Sequence, residues 1–324
     1  MRITLYLKIF ILSLSFIIGY KKSFKSIPSI KNSDYNNKFA IIQRNITYST
    51  RGLMAYYFIN LGCAVDYIHK GYIPIIDLIS HPNIFNGFNN TRNQKNPWEI
   101  FFQQPFNFKL EDIITKAKYI KYIFCEKGTL GPHFNLFENN ILINYWHNIG
   151  KIYMPIKKEF INEASIKYKY LFKRSNNILG ILVRGTDYLA CKPYGHPIQP
   201  NPKMIYKDII KMDKKYKYDY IFLTTEDDSI RTYYIENLGK KLKYIKSNIK
   251  LNYNYKKKKL LAYNDNIKGN IPFMRIYLIN IIILSKCLDI ITPKTGGSLV
   301  SLILSKGFRN KKIYNLGWYI KIHI

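Results

Sequence analysis

Acidic residues and cysteine are scarce in this sequence. Asp and Glu number 20 among 324 residues, against 51 Lys and Arg, which leaves a formal net charge of +31. The four cysteines are few and far apart, so a small disulfide-rich fold is excluded. They are Cys63, Cys125, Cys191 and Cys287. After the N-terminus no run of about 18 uncharged apolar residues occurs, which excludes a polytopic membrane protein.

The short motifs of several enzyme classes are also missing. The sequence contains no GxxxxGK[ST] phosphate-binding loop, no GxGxxG fingerprint and no serine-centred nucleophile elbow. The cysteines and the six histidines lack the spacing of metal ligands. These chemistries are therefore not indicated, and we expect no metal site.

Apolar material is abundant, at 47% hydrophobic and 16% aromatic residues. This is enough to bury hydrophobic cores, and the length suggests two domains. Most of the basic excess is Lys, accompanied by many Ile, Asn and Tyr residues, as A/T-rich codons would produce. A protein that reads nucleic acid would favour the planar fork of Arg. We therefore expect no nucleic-acid partner; the alternative, a nucleic-acid-binding protein, predicts a continuous basic stripe.

The first 30 residues form an apolar and basic segment. Its clean apolar run, 9–19, is too short to span a bilayer comfortably, and no small-x-small cleavage site follows it. Lysines at 21, 22 and 25 flank the run, which favours a helix that lies on or anchors to a membrane surface. The alternative is an ordinary buried first helix. We expect a cytoplasmic protein associated peripherally or N-terminally with the inner membrane.

Strands and helices alternate along the rest of the chain. In the first half, a strand at 39–42, a helix at 51–70 and a strand at 72–78 form a βαβ unit, whereas 110–165 is weakly patterned. The second half predicts strands at 177–183, 218–225, 243–247, 288–292 and 312–316, and helices at 202–216, 228–239, 275–287 and 296–306. This order indicates a doubly wound parallel sheet. We expect domains at 31–170 and 171–324, divided in the Lys- and Asn-rich stretch at 165–175.

Polar clusters follow three of the predicted strands, at the end where doubly wound sheets bind ligands. After the first comes Arg184-Gly185-Thr186-Asp187, in which one Arg beside a Gly suits a phosphate. A plain ion pair between Arg184 and Asp187 is the alternative. After the second comes an acidic run from Glu226 to Asp228. Its alternative is N-capping of the next helix by Asp227 or Asp228.

The third cluster is Thr295-Gly296-Gly297-Ser298, which precedes a predicted helix. Small residues that open a helix present backbone N–H groups to an anion, and Ser298 adds a hydroxyl. Two candidate phosphate-facing loops with an acidic loop between them indicate a phosphate-binding site more specifically than any one of the three loops does.

These motifs resemble those of the α1,6-fucosyltransferases and protein O-fucosyltransferases. The α1,6 enzymes carry VRRTDK with a downstream HPI segment, and a YLATDD motif. The corresponding segments here are Val183-Arg184-Gly185-Thr186-Asp187, Gly195-His196-Pro197-Ile198, Ile221-Phe222-Leu223-Thr224-Thr225-Glu226-Asp227 and the TGGS loop. The resemblance covers about 178–307 well and the N-terminal part only loosely.

The resemblance implies a GT-B fold, in which two Rossmann-like domains face each other across a cleft. It implies transfer of fucose from GDP-fucose with inversion, without a metal or other cofactor. Arg184 then matches the arginine that neutralises the β-phosphate as the glycosidic bond breaks. The donor-binding positions are Gly185, His196, Glu226, Asp227, Asn280, Thr295, Gly296, Gly297 and Ser298.

Four positions depart from the family pattern. Gly185 replaces a second arginine, and Tyr188 replaces a lysine. Lys192 stands where the α1,6 enzymes place a glutamate that could act as base, which leaves Asp187 as the candidate base. Asn280 replaces the carboxylate that reads guanine. These changes keep an alternative open, a non-catalytic relative that binds a nucleotide sugar or a glycan.

The N-terminal half is expected to hold the acceptor. Arg51 follows a strand and could line the cleft, and Trp98 could offer a ring to a sugar; a core aromatic is the alternative for Trp98. The leading interpretation is a bacterial-type glycosyltransferase that acts at the membrane on a cell-surface or lipid-linked glycan. We expect Arg184→Ala to abolish transfer while leaving the fold intact.

Overall fold

The structure is a computed structural model. It describes residues 34–43, 52–80, 83, 85, 95–125, 131–132, 134–246 and 269–320. The helix predicted over 1–30, and Arg51, therefore lie outside the described residues. Among the residues that are described, no helix has both the length and the apolar character needed to cross a membrane.

The N-terminal unit is built on three parallel strands in the order β2-β1-β3. They are β1 (Lys38–Gln43), β2 (Ile73–Ile76) and β3 (Tyr119–Phe124). Helix α1 (Leu53–His69) connects β1 to β2, which confirms the predicted βαβ unit. β1 and β2 are almost wholly buried, as their continuous apolar sequences require of strands in a parallel sheet.

The weakly patterned region 110–165 contains regular structure. It holds β3, α3 (Leu110–Lys116), a 3₁₀ turn at Phe134–Glu138, α4 (Asn140–Tyr153) and most of α5 (Lys158–Phe172). Two short elements precede this region: the single turn α2 (Trp98–Phe101) and a 3₁₀ turn at Pro105–Asn107. β3 escapes prediction because it is an edge strand whose Tyr, Lys and Phe side chains mostly face solvent. α4 does carry a helical stripe, since Ile143, Trp146 and Ile149 are buried and Asn139 caps its N-terminus.

The C-terminal unit is a five-stranded parallel sheet in the order β6-β5-β4-β7-β8. Its strands are β4 (Ile178–Leu182), β5 (Tyr220–Thr224), β6 (Leu242–Lys243), β7 (Asp289–Pro293) and β8 (Lys311–Tyr314), and its helices are α6 (Thr186–Cys191), α7 (Pro202–Tyr216), α8 (Asp228–Leu238), α9 (Ile271–Leu284) and α10 (Gly296–Leu304), with a 3₁₀ turn at Gly239–Lys241. The predicted doubly wound sheet is confirmed. Among the differences from prediction, β6 is only two residues long, and α6 was not predicted.

Helix α9 joins the two units. It begins at Ile271, four residues before the predicted start, because Asn270 accepts a hydrogen bond from the N–H of Phe273 and Pro272 occupies the first turn. It is apolar on nearly every side because it packs on α5 and on the C-terminal sheet. Gly180 in β4 permits this approach, since a Cβ there would lie 2.6 Å from Leu284 Cδ1.

The two units share one apolar cluster. Helix α10 packs against α1 and α4, and α9 packs against α5. The fold class predicted from the sequence, two α/β units each with a parallel sheet, is confirmed. The domain boundary near residue 170 stays a prediction. Helix α5 ends at Phe172 and β4 begins at Ile178.

Candidate functional site

Three loops meet at the carboxyl ends of β4, β5 and β7, and Arg184 lies among them. Its guanidinium Nη2 donates to Asp187 Oδ2 at 3.0 Å, and its Nε lies 3.5 Å from Glu226 Oε1. The guanidinium also lies over the ring of Tyr188, 4.9 Å from the centroid. The ion pair expected as the plain alternative for Arg184 and Asp187 is thus present, and a second carboxylate joins it.

Glu226 connects the loops that follow β4 and β5. Its Oε1 accepts the backbone N–H of Gly185 at 2.9 Å and is the same oxygen that faces Arg184. The side chains of Arg184, Asp187 and Glu226 are 22%, 2% and 11% exposed. One cation and two carboxylates are therefore held together, largely out of water.

Burial sets the electrostatics of this group. Burial raises the pKa of Glu226, Arg184 acts to lower it, and Asp187 adds to the rise. Burial disfavours the charged guanidinium, but Asp187 and Glu226 outweigh it and raise the pKa of Arg184. Arg184 therefore stays cationic at any ordinary pH, whereas the raised pKa of Glu226 favours its protonated form.

Tyr188 links His196 to the arginine. Its Oη lies 2.9 Å from His196 Nδ1, the two rings meet edge to face, and burial raises the pKa of Tyr188 to about 12. The segment at 195–198 is itself fixed by a short antiparallel pairing with 317–319. Tyr188 thus gives Arg184 an aromatic face and His196 a hydrogen-bond partner.

The three consecutive acids after β5 have different roles. Glu226 faces Arg184, whereas Asp227 caps α8, because its Oδ1 accepts the N–H groups of Ser229 and Ile230 at 2.9 and 3.1 Å. Asp228 is exposed and pairs with Arg231. The N-capping alternative therefore describes Asp227, and the acid that reaches the site is Glu226.

The structure explains why position 185 is glycine. A Cβ there would lie 2.6 Å from Asp227 Oδ2 and 2.6 Å from Ile230 Cδ1. A larger side chain at this position could not be accommodated without moving the cap of α8.

The TGGS loop forms the N-terminus of α10. Thr295 caps the helix by accepting the N–H of Ser298 at 3.1 Å. Ser298 is fully buried, and its Oγ lies 2.7 Å from Thr295 Oγ1, 2.6 Å from Pro293 O and 2.5 Å from Thr292 Oγ1. Its hydroxyl thus shapes the turn, while Gly296 and Gly297 supply the first-turn N–H groups that a helix leaves without intrahelical partners.

A second helix begins at the same place. A Cβ on Gly296 would lie 3.3 Å from Phe58 Cε1 and 3.7 Å from the backbone N of Ala55, both in α1. Helix α1 starts after Gly52 with neither a side-chain cap nor an acidic residue in its first turn. The N-termini of α1 and α10 therefore converge, and both carry partial positive charge. Sequence analysis missed this pairing because it depends on how the two units pack.

Two buried polar atoms at this edge have no hydrogen-bond partner. They are the Nε of Arg184 and the Oγ1 of Thr224, the last residue of β5, which is 6% exposed. Buried polar groups in proteins are nearly always satisfied by protein, water or ligand. Thr224 was not among the predicted site residues, although its place at a strand end was visible in the sequence.

The contacts of three further positions discussed from the sequence are as follows. Trp98 is 1% exposed, stacks on Tyr57, and its Nε1 donates to Gln103 O at 3.3 Å, which corresponds to the core aromatic alternative. The Nδ2 of Asn280 donates to Ile276 O within α9. Lys192 is exposed at the end of α6.

No protein-family model and no curated protein matches the sequence. Among solved structures, the chain is similar to the fucosyltransferase NodZ from Bradyrhizobium, at 14% identity over 82% of this chain and 92% of that one, with a TM-score of 0.44. FUT1 of Arabidopsis thaliana in complex with GDP matches at 10% identity over 90% and 73%, with a TM-score of 0.46. POFUT1 in complex with GDP-fucose matches at 8% over 90% and 78%, with a TM-score of 0.39. The likeness concerns the fold alone.

Proposed function

We propose that the chain is a glycosyltransferase that binds a nucleoside diphosphate sugar at the carboxyl edge of β4, β5 and β7. The observation that carries the proposal is the buried guanidinium of Arg184, with an Nε that lacks a hydrogen bond, at the edge where doubly wound sheets bind ligands. The converging N-termini of α1 and α10 add a further place for anionic oxygens. By its resemblance in sequence motifs, the donor is GDP-fucose and the acceptor is a glycan, cell-surface or lipid-linked, reached at a membrane surface.

The chemistry requires a fixed cation. As the bond between the anomeric carbon and the diphosphate breaks, negative charge grows on the leaving phosphate, and a preorganised guanidinium stabilises it more than it stabilises the ground state. Arg184 is preorganised in this sense because Asp187 and Glu226 hold its Nη2 and Nε side. We propose transfer with inversion and without a metal ion.

An inverting transfer also needs a group that accepts the proton of the acceptor hydroxyl. Asp187, the base candidate from the sequence, is bound to Arg184 and almost wholly buried. Glu226 accepts a proton more readily than an ordinary exposed glutamate does, because burial raises its pKa. We therefore place Glu226 beside Asp187 as a candidate base.

A second function, nucleotide-sugar or glycan binding without transfer, is favoured by specific observations. Lys192 is exposed at the end of a helix, and the amide of Asn280 bonds within its own helix. The space beside Gly185 is filled by Asp227 and Ile230. These features leave the family's base, guanine reader and second arginine without counterparts here.

Thermal unfolding with GDP, UDP, CDP and GDP-fucose tests the donor class. Binding to the folded state raises its stability by about 2.7 kcal/mol at a ligand concentration of 100 Kd. We expect GDP and GDP-fucose to raise the melting temperature more than UDP or CDP does. Unchanged melting with all four compounds would refute the proposal.

Two variants locate the site. Arg184→Lys keeps the charge and loses the planar fork, so nucleotide affinity is expected to fall about 10- to 100-fold, the equivalent of a charge-assisted hydrogen bond of ~1.5–3 kcal/mol. Arg309→Lys is the matched control, because Arg309 pairs with Asp289 at the opposite end of β7. Release of GDP from GDP-fucose then separates the enzyme from the binding protein, since the latter binds the donor and leaves it intact.

A further inference from the structure

A disulfide joins Cys63, in the middle of α1, to Cys125, directly after β3. Their Cα atoms are 6.4 Å apart, within the span that a disulfide bridges. The wide spacing of the four cysteines gave no sign of this pair. It depends on α1 lying across the sheet, so that residues separated by 62 positions become neighbours.

The bond belongs to the core of the N-terminal unit. Cys63 and Cys125 are 0% and 1% exposed and lie in the apolar cluster that also holds Trp98. The N–H of Cys125 donates to the carbonyl of Gln43 at 2.9 Å, so the bond ties α1 to the carboxyl edge of β1 and β3. Redox-active cysteines need access and an electropositive setting, whereas a buried apolar pair is structural.

Structural disulfides persist in oxidising compartments, and cytosolic proteins rarely keep them, because glutathione and thioredoxin hold thiols reduced there. We infer that the Cys63–Cys125 bond is a permanent part of the folded protein, and that the chain folds and works on the oxidising side of a membrane. This inferred location differs from the cytoplasmic one expected from the sequence. Any acceptor that the chain modifies is then exposed on that same side.

Formation of the bond is a two-electron oxidation. The two thiols lose two protons and two electrons, and the S–S bond forms as the disulfide of a thiol–disulfide oxidoreductase is reduced to its dithiol. Cys191 and Cys287 remain as thiols. Burial raises the pKa of the Cys287 thiol, which keeps it unreactive.

Thiol counting in the full chain tests the inference. Cells that make the protein are quenched in acid, and free thiols are blocked with N-ethylmaleimide under denaturing conditions before the mass is measured. We expect two blocked cysteines before reduction and four after it, with the peptides of Cys63 and Cys125 linked. Four blocked cysteines before reduction would overturn the inference, whatever the outcome with nucleotides.

Melting in the presence and absence of dithiothreitol gives an independent readout. The wild type and the control Cys191→Ala should melt several degrees lower when reduced, because reduction restores freedom to the unfolded chain. The double variant Cys63→Ala with Cys125→Ala should melt low in both conditions. Indifference of the wild type to full reduction, checked by mass, would contradict a structural bond.

Discussion

Replacing Arg184 by alanine tests the charge arrangement of the site directly. The sequence alone suggested that this variant would lose activity and keep its stability. In the structure, Arg184 is the cation that faces both Asp187 and Glu226, whose side chains are 2% and 11% exposed. Its removal leaves two buried carboxylates side by side, so we expect the fold itself to weaken.

The magnitude follows from burial. Removing one partner of a buried ion pair costs about 3–5 kcal/mol, because the remaining charge is uncompensated. Glu226 can take up a proton, which places the expected loss at the lower end, about 3 kcal/mol. For a unit of this size, each kcal/mol lowers the melting temperature by roughly 2–4 °C, so the midpoint should fall by about 6–12 °C.

The loss should depend on pH. Burial already raises the pKa of Glu226 above its ordinary value of 4.5, and without Arg184 it rises further. A carboxyl group whose pKa is higher in the folded than in the unfolded state does not lower the free energy of unfolding while it is protonated in both states. The cost grows as pH rises from the unfolded pKa to the folded pKa. The difference between variant and wild type should therefore be larger at pH 8 than at pH 5.

Thermal unfolding followed by circular dichroism at both pH values measures the effect. The matched variant is Arg184→Ala combined with Glu226→Gln, which should regain part of the lost stability because an amide needs no cation. A wild-type melting temperature for Arg184→Ala at pH 5 and pH 8 would refute the buried ion group.

Two further substitutions follow from other parts of the C-terminal unit. Gly185→Arg, which would introduce the second arginine found in the α1,6-fucosyltransferase motif, should cost about 1–3 kcal/mol and fail to strengthen nucleotide binding, because the new Cβ would meet Asp227. Tighter binding by calorimetry would contradict this. Asp289→Asn should cost about 1.5–3 kcal/mol, because the buried carboxylate loses its charge-assisted hydrogen bonds while the partly exposed Arg309 keeps access to water. Burial acts to raise the pKa of Asp289, but the hydrogen bonds from Arg309, Tyr218 and Asn310 outweigh it and hold that pKa below its usual range. The wild type should therefore lose the stability that these bonds supply as pH falls through the pKa of Asp289. Equal acid sensitivity of the wild type and the variant would contradict the assignment.

The order of elements could be predicted from the sequence wherever strands are buried on both faces. β4 and β7 are buried along their whole length, and α7 occupies the predicted 202–216. Prediction failed for β3, whose solvent-facing side chains hide the strand, and for α6, a helix of six residues without an apolar stripe. Short and peripheral elements depend on tertiary contacts, which a local pattern does not contain.

The sequence indicated which loops would lie together at one edge of the sheet, but not which side chains within them make contact. The Arg184 loop, Glu226 and the TGGS loop do meet at one edge, as the rule for parallel sheets requires. Which of three neighbouring acids faces the arginine depends on the start of α8, because the residue that caps a helix turns its carboxylate toward its own backbone. That choice separates Glu226 from Asp227, and no periodicity encodes it.

Two of the few acidic residues in this chain lie in the candidate site. In a chain with 31 more basic than acidic side chains, Asp187 and Glu226 are both directed at one arginine and kept out of water. The excess of surface lysine attracts an anionic ligand over a distance of about 10 Å, the screening length at ordinary salt.

Close to Arg184 the local charge is different, since two carboxylates already oppose its one positive charge. Under the proposed function, an entering diphosphate is therefore held by backbone N–H groups at the starts of α1 and α10 as well as by the guanidinium. The proposal thus assigns long-range attraction to many lysines without special positions, and short-range selection to one arginine whose position two acids determine.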